Sequence, residues 1–163
     1  MLRAYQYYVA SYPQPLDPAM QARQKLSELV LSVQRDTALH RHWLEEIVRA
    51  DESAGGTRSE ISKRYAAQAS LDLGRIDAAA ASQLALRAPL EQTLAQRKAA
   101  TEASVRRLES AAAFGYADIT SAATYELASV YADFGRALMA SERPAKLAGE
   151  ALEQYGLLLE EQA

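Results

Sequence analysis

The sequence contains no cysteine, which excludes disulfide bonds, thiolate catalysis and zinc sites built on cysteine. Phenylalanine occurs only twice, and valine and isoleucine are scarce, so the composition argues against a β-sheet. No stretch approaches the roughly 18 consecutive apolar residues that indicate a membrane-spanning helix. The net charge is −3, and no basic face is present of the kind that binds nucleic acid. We therefore expect neither a membrane span in this segment nor a nucleic-acid partner.

Helix-forming residues dominate what is present. Alanine is the most frequent residue, and Leu, Glu, Gln and Arg are also common, all of which favour helices. Hydrophobic residues make up 49% of the chain, so it can bury a core and is not expected to be disordered. The composition therefore predicts an all-α fold.

Proline and glycine residues divide the helical pattern of apolar positions into four segments. These are 1–12, the end of a preceding repeat; 18–54, a helix pair; 57–114, a long helical hairpin; and 119–161, a further pair with a terminal helix. We predict about seven helices in antiparallel pairs, forming one domain over 1–163.

Local signals mark the boundaries of these helices. Asp17 followed by Pro18 predicts a capped helix start. A later helix is predicted to begin near Thr57 or Ser59, and Thr57 with Glu60 fits a capping box. Gly74 lies inside the long hairpin and has two interpretations. It either turns the chain or permits close contact within one continuous helix. The second is favoured by an apolar stripe that keeps one phase across it: Ile61, Tyr65, Ala69, Leu73, Ile76, Ala80 and Leu84.

The clearest repeat-like stretch is Ala123–Pro144, read as ATYELASVYADFGRALMASERP. One helical face comes first and is formed by Thr124, Leu127, Ala128 and Tyr131. Gly135 follows this face, and a second apolar run then reaches Ala140 and ends at Pro144. This pattern resembles a tetratricopeptide repeat, a pair of short antiparallel helices that stacks on neighbouring pairs. A looser resemblance covers 19–53 through Leu26, Leu29, Val30 and Val33.

Most of the chain from about residue 20 resembles the C-terminal region of large bacterial tetratricopeptide proteins of the cell envelope. The motifs are HWLEEIVRAD, RYAAQASL, FGYADITSAATYELASVYADFGRALMASERP and LEQYGLLLEEQA. The resemblance implies an irregular helical-repeat stack in which 57–114 is a longer central hairpin. It favours a periplasmic or envelope-associated protein, and a cytoplasmic location stays open. Residues 1–12 resemble the second helix of a repeat, so we expect a fragment of a longer chain.

In this repeat family the first helix of each pair lines a concave groove. The resemblance places six residues there: Tyr125, Ser129 and Asp133 in the later pair, and Ser27, Leu31 and Arg35 in the earlier one. It implies a non-enzymatic protein–protein interaction scaffold that binds a partner peptide or helix on these faces. The alternative is a structural array segment, or a homo-oligomer formed through truncated ends, with no separate ligand.

The remaining polar residues do not form a recognisable catalytic or metal site. His40 and His42 are the only histidines, and their spacing of two residues turns them to different sides of a helix. Trp43 lies beside them at apolar helical spacing, which is typical of packing between helices. No G-x-S-x-G motif or phosphate-binding loop occurs. We therefore expect no enzymatic activity, no metal and no cofactor.

Overall fold

The computed structural model describes residues 1–141 together with 149, 153, 156 and 157. Six α-helices lie in this part of the chain: α1 (Leu2–Ser11), α2 (Leu16–Leu29), α3 (Thr37–Ala54), α4 (Glu60–Ser82), α5 (Leu90–Ala113) and α6 (Ala117–Met139). No strand is present among these residues, so the predicted all-α fold is confirmed. The terminal helix predicted over 145–161 falls mostly outside the described residues.

Consecutive helices pack on one another and form two layers. The first layer contains α2, α4 and α6. These helices run parallel, as is seen from hydrogen bonds that join corresponding parts of neighbouring helices. The second layer contains α3, which contacts α2 and α4, and α5, which contacts α4 and α6. Both helices of the second layer run antiparallel to their neighbours. α1 packs against α2 at one end of the stack.

Helix α4 is central because apolar clusters lie on two of its sides. One cluster joins it to α5 and α6: Ala67, Leu71, Leu108, Ala111, Ile119, Ala123 and Val130. The other joins it to α2 and α3: Met20, Leu44, Ile47, Ala69 and Leu73. The apolar stripe predicted along α4 followed one face, whereas the helix buries two. This double burial explains why so many small residues occur along α4, since they let neighbouring helices approach.

Gly74 lies within α4 without interrupting it. A Cβ atom at this position would lie 2.6 Å from Cδ2 of Leu108, which is fully buried on α5. Ser104 Oγ also donates a hydrogen bond to the Gly74 carbonyl oxygen over 2.9 Å. Of the two interpretations of Gly74, the structure therefore supports the continuous helix with a close helix contact.

The predicted N-cap of α2, Asp17, is wrong by two residues. The helix begins at Leu16 with Pro15 as its N-cap, so Asp17 lies in the first turn. The Asp17 carboxylate accepts a hydrogen bond from Ser59 Oγ at the start of α4 instead. This bond is formed between distant parts of the chain, and local capping rules give no indication of it.

The predicted capping box of α4 is also wrong. Thr57 lies in a short 3₁₀ turn, Gly55–Thr57, and its hydroxyl donates to the Ala54 carbonyl oxygen. Ser59 is the N-cap, and it exchanges hydrogen bonds with Ser62 over 2.9 and 3.1 Å. Serine at the third helical position thus does the work usually done by glutamate or glutamine.

Ser59→Ala should therefore lower the free energy of unfolding by about 1–2 kcal/mol, because it removes the N-cap and the bond to Asp17. The matched variant Thr57→Ala removes one exposed local bond and should cost no more than about 0.5 kcal/mol. Urea unfolding followed by circular dichroism measures both. Equal losses, or a larger loss for Thr57→Ala, would contradict the assignment of Ser59 as the cap.

The two short helices predicted within Ala123–Pro144 are not observed in the described residues. α6 runs unbroken through Gly135, which is buried within it, so the predicted turn is wrong. Tyr131 is 57% exposed, and Thr124 and Ala128 are also exposed. Only Leu127 of the four first-helix positions packs against the core. The helix is held instead by Ile119, Ala123, Val130 and Leu138, which follow a different face.

Candidate functional site

An open groove lies in the first layer, between the parallel helices α2 and α4. Its volume is about 500 Å³, within the range of ligand-binding clefts. The lining residues are Gln21, Gln24, Lys25 and Glu28 from α2, and Ile61, Arg64, Tyr65 and Gln68 from α4. We call this cleft the α2–α4 groove. α3, in the other layer, contacts both α2 and α4 and contributes no residue to the groove lining.

The apolar part of the groove belongs to α4. Ile61 and Tyr65 are one turn apart, and Ile61 is 54% exposed although it is a large β-branched residue. Tyr65 is half-buried and packs against the cluster that contains Met20 and Leu73. The result is a small apolar surface whose inner end is held in place by the core.

Polar groups surround this apolar surface. Gln68 donates through Nε2 to Asp72 over 3.1 Å, which directs its amide group along α4 and leaves its carbonyl oxygen as an acceptor. Gln21 is exposed, and its side chain makes no hydrogen bond among the described residues. Gln24 donates to Glu28 over 3.1 Å within α2. Carboxamides of this kind match the donors and acceptors of a peptide backbone.

Two cations line the groove. Lys25 Nζ lies 2.6 Å from Glu28 Oε2, and this hydrogen bond raises the pKa of Lys25 and lowers that of Glu28. Arg64 donates to Asp118 on α6 over 2.7 Å and lies over the ring of Tyr116 at 5.3 Å. The bond from Arg64 is the largest cause of the lowered pKa of Asp118.

A second cleft of about 280 Å³ continues the groove toward α1. It shares Gln21 and Lys25 with the α2–α4 groove and adds Tyr5 and Tyr8 of α1. Lys25 therefore lines both clefts, with Tyr5 and Tyr8 in one and Tyr65 in the other. The two clefts form one strip across α1, α2 and α4.

The residues predicted on α6 divide between two environments. Tyr125 is 72% exposed and lines none of the clefts described. Ser129 and Asp133 line a shallower cleft between α4 and α6, of about 340 Å³. Asp133 pairs with Arg97, whose side chain is only 5% exposed, so this aspartate balances a buried charge. Its replacement would disturb the fold as well as the surface.

The residues predicted at the end of α2 do not form one face. Ser27 is buried and lies 2.8 Å from His40 Nδ1 on α3, so its predicted groove-facing position is wrong. Leu31 lies in a π-helical turn, Val30–Gln34, and is 41% exposed. Arg35 follows in the left-handed region at φ 54°, outside the helix. The π-helical turn breaks the regular spacing that the prediction assumed.

None of the six residues predicted to line a groove lines the α2–α4 groove. Ile61 and Tyr65 belong to the apolar stripe predicted along α4, and no site role was predicted for them. The pairing of these side chains with Gln21 and Lys25 depends on how α2 and α4 pack. A signal was nevertheless available, since Ile61 is an apolar residue at the start of a helix, directly after Glu60 and shortly before Lys63 and Arg64.

The described part of the chain contains neither a cluster of metal-binding side chains nor a membrane-spanning helix. No group of three or more His, Asp or Glu side chains there is arranged to hold a metal ion. None of the helices seen there has the length and apolar character needed to cross a lipid bilayer. His40 Nδ1 is hydrogen-bonded to the Ser27 hydroxyl. His42 packs edge-on against Trp43, with ring centres 5.2 Å apart.

No protein-family model, curated protein or solved structure matches this chain.

Proposed function

We propose that this protein is a non-enzymatic interaction scaffold that binds an extended segment of a partner protein in the α2–α4 groove. The observation that carries the proposal is the exposed Ile61–Tyr65 surface, bordered by carboxamides and held between two parallel helices. An apolar surface inside a polar border is typical of a binding site, because its burial by a partner releases ordered water. The tetratricopeptide-like resemblance is consistent with this function.

The polar border favours an extended partner over a helical one. The backbone groups of a helix are already bonded within the helix, whereas an extended segment has free N–H and C=O groups. Gln21 offers both a donor and an acceptor, and Gln68 offers an acceptor. Such groups bind backbone with little dependence on sequence, while Ile61 and Tyr65 select one or two apolar side chains.

Screening an array of random peptides with the labelled protein tests the proposal. We expect the Ile61→Glu variant to lose about tenfold or more in affinity for the selected peptides, because burying a large apolar side chain contributes about 1.5–3 kcal/mol. The matched control is Tyr131→Glu, which adds the same charge at a similarly exposed site, 57% against 54%, outside the clefts. Unfolding midpoints of both variants check that the fold is intact.

Two outcomes would overturn the proposed function. The first is that the wild-type protein selects no peptide from the array. The second is that Ile61→Glu and Tyr131→Glu bind the selected peptides equally well, since the exposed apolar surface of α4 would then have no role. The variant Tyr125→Ala in the same assay tests the α6 surface predicted from the sequence.

A further inference from the structure

The charge along the groove differs from the charge of the whole chain. The strip across α1, α2 and α4 contains two cations, Lys25 and Arg64, and one acid, Glu28. The chain as a whole carries a net charge of −3. Arg64 is balanced by Asp118, which does not line the groove, so Lys25 is the cation that can give the strip an electrostatic preference for ligands with acidic groups.

Lys25 is placed to meet a ligand at the middle of this strip. It is shared by both clefts, and its side chain is 49% exposed. Glu28, its partner, is exposed to nearly the same extent, at 48%, and lies three residues away on the same helix. Such an exposed pair contributes little to stability, so its partners can be exchanged at small cost.

Arg64 contributes its charge differently. Its acidic partner, Asp118, belongs to α6 and does not line the groove. The Arg64 side chain is 55% exposed, so part of it stays open to the groove while the guanidinium group is held against Tyr116. The charge of Arg64 is therefore compensated by Asp118, and Lys25 is the cation of the strip whose acidic partner, Glu28, lies beside it in the groove.

We propose that the partner segment is acidic, and that one of its carboxylates replaces Glu28 on Lys25. This inference rests on the proposed function and specifies the chemistry of its ligand. The strip spans three neighbouring helices, a distance of about 16–20 Å, which corresponds to about six extended residues. The segment contributes an apolar side chain to Ile61 and Tyr65, and an acidic side chain about one or two residues away reaches Lys25.

Three labelled peptides of about nine residues test the inference. They share the sequence Gly-Leu-X-Gly-Tyr-X-Gly-Leu-X, in which X is glutamate, glutamine or lysine, and their binding is measured by fluorescence anisotropy. At an ionic strength of about 20 mM we expect the glutamate peptide to bind about threefold to fivefold more tightly than the glutamine peptide, with the lysine peptide weakest. The difference should shrink at about 0.5 M salt, where charges are screened.

Two charge variants assign the effect to the Lys25–Glu28 pair. Glu28→Gln removes the internal competitor and should tighten binding of the glutamate peptide about threefold. Lys25→Gln should abolish the preference for the glutamate peptide over the glutamine peptide. The matched control, Lys98→Gln, removes an exposed lysine of α5 outside the strip and should leave the preference intact.

The outcomes separate this inference from the proposed function. If the glutamate and glutamine peptides bind equally and Ile61→Glu weakens both, the groove binds peptides but the acidic preference is wrong. Tighter binding of the lysine peptide, or an unchanged preference in Lys25→Gln, also overturns the inference. If none of the three peptides binds and the random array also selects none, both proposals fail.

Discussion

Replacing Arg58 by methionine is expected to lower the free energy of unfolding by about 3 kcal/mol, because it leaves a fully buried carboxylate without its counter-charge. That carboxylate is Asp51 at the end of α3, which has 0% exposure. Asp51 Oδ2 pairs with Arg58, and Oδ1 accepts a hydrogen bond from the hydroxyl of Ser62 over 2.6 Å. The hydroxyl alone cannot compensate a charge removed from water.

Methionine is chosen because it preserves most of the apolar stem of Arg58. The guanidinium group lies over the ring of Phe114 at 5.5 Å, so truncation to alanine would remove packing as well as charge. The matched control is Arg49→Met, which breaks the Arg49–Glu46 pair at a side chain that is 65% exposed. We expect that change to cost less than about 0.5 kcal/mol.

Urea unfolding at neutral pH, followed by circular dichroism, measures both variants. A loss below about 1 kcal/mol for Arg58→Met would show that Asp51 does not depend on Arg58. The double variant Asp51→Asn with Arg58→Met provides a further check. It should be more stable than Arg58→Met alone, because the buried charge is then absent.

Replacing Leu108 by alanine is expected to cost about 2–5 kcal/mol, because it opens a cavity in the contact between α4 and α5. Leu108 has 0% exposure and belongs to the cluster that joins α4, α5 and α6. Its side chain rests against the bare backbone of Gly74. A similar truncation at Leu31, which is 41% exposed, should cost less than about 1 kcal/mol.

The Gly74–Leu108 contact gives a sharper prediction about stability. Gly74→Ala should destabilise the wild-type protein but stabilise the Leu108→Ala variant. In the wild-type protein, Gly74→Ala places a methyl group 2.6 Å from Leu108 Cδ2 and should destabilise the fold. In the Leu108→Ala background the clashing atoms are absent. The same substitution should then stabilise by up to about 1 kcal/mol, because alanine is the better helix former.

A double-mutant cycle from four urea unfolding curves measures this coupling. If Gly74→Ala has the same effect in both backgrounds, the helices do not approach at Gly74 as the structure indicates. If it destabilises in both, the position requires glycine for another reason. The coupling matters for the proposed function, because α4 both packs against α5 at Gly74 and supplies Ile61 and Tyr65 to the groove.

The sequence by itself determined the helical character of the chain. Apolar residues at helical spacing lie close together in the sequence, so the tendency of each segment to form a helix can be seen without knowing its neighbours. The continuity of α4 through Gly74 was indicated in the same way, by an apolar phase that does not shift. The class of the fold followed from these local signals.

Only the tertiary structure decided which faces of the helices are buried and which are open. α6 matches a two-helix pattern in the sequence, yet it runs through Gly135 as one helix because its buried face lies against α4 and α5. Ser27 was predicted at the surface and is buried against His40. Ile61 belongs to the apolar stripe predicted along α4 and borders the α2–α4 groove. Helical periodicity identifies an apolar face, but burial depends on which other helix covers it, and that is a property of contacts between distant parts of the chain.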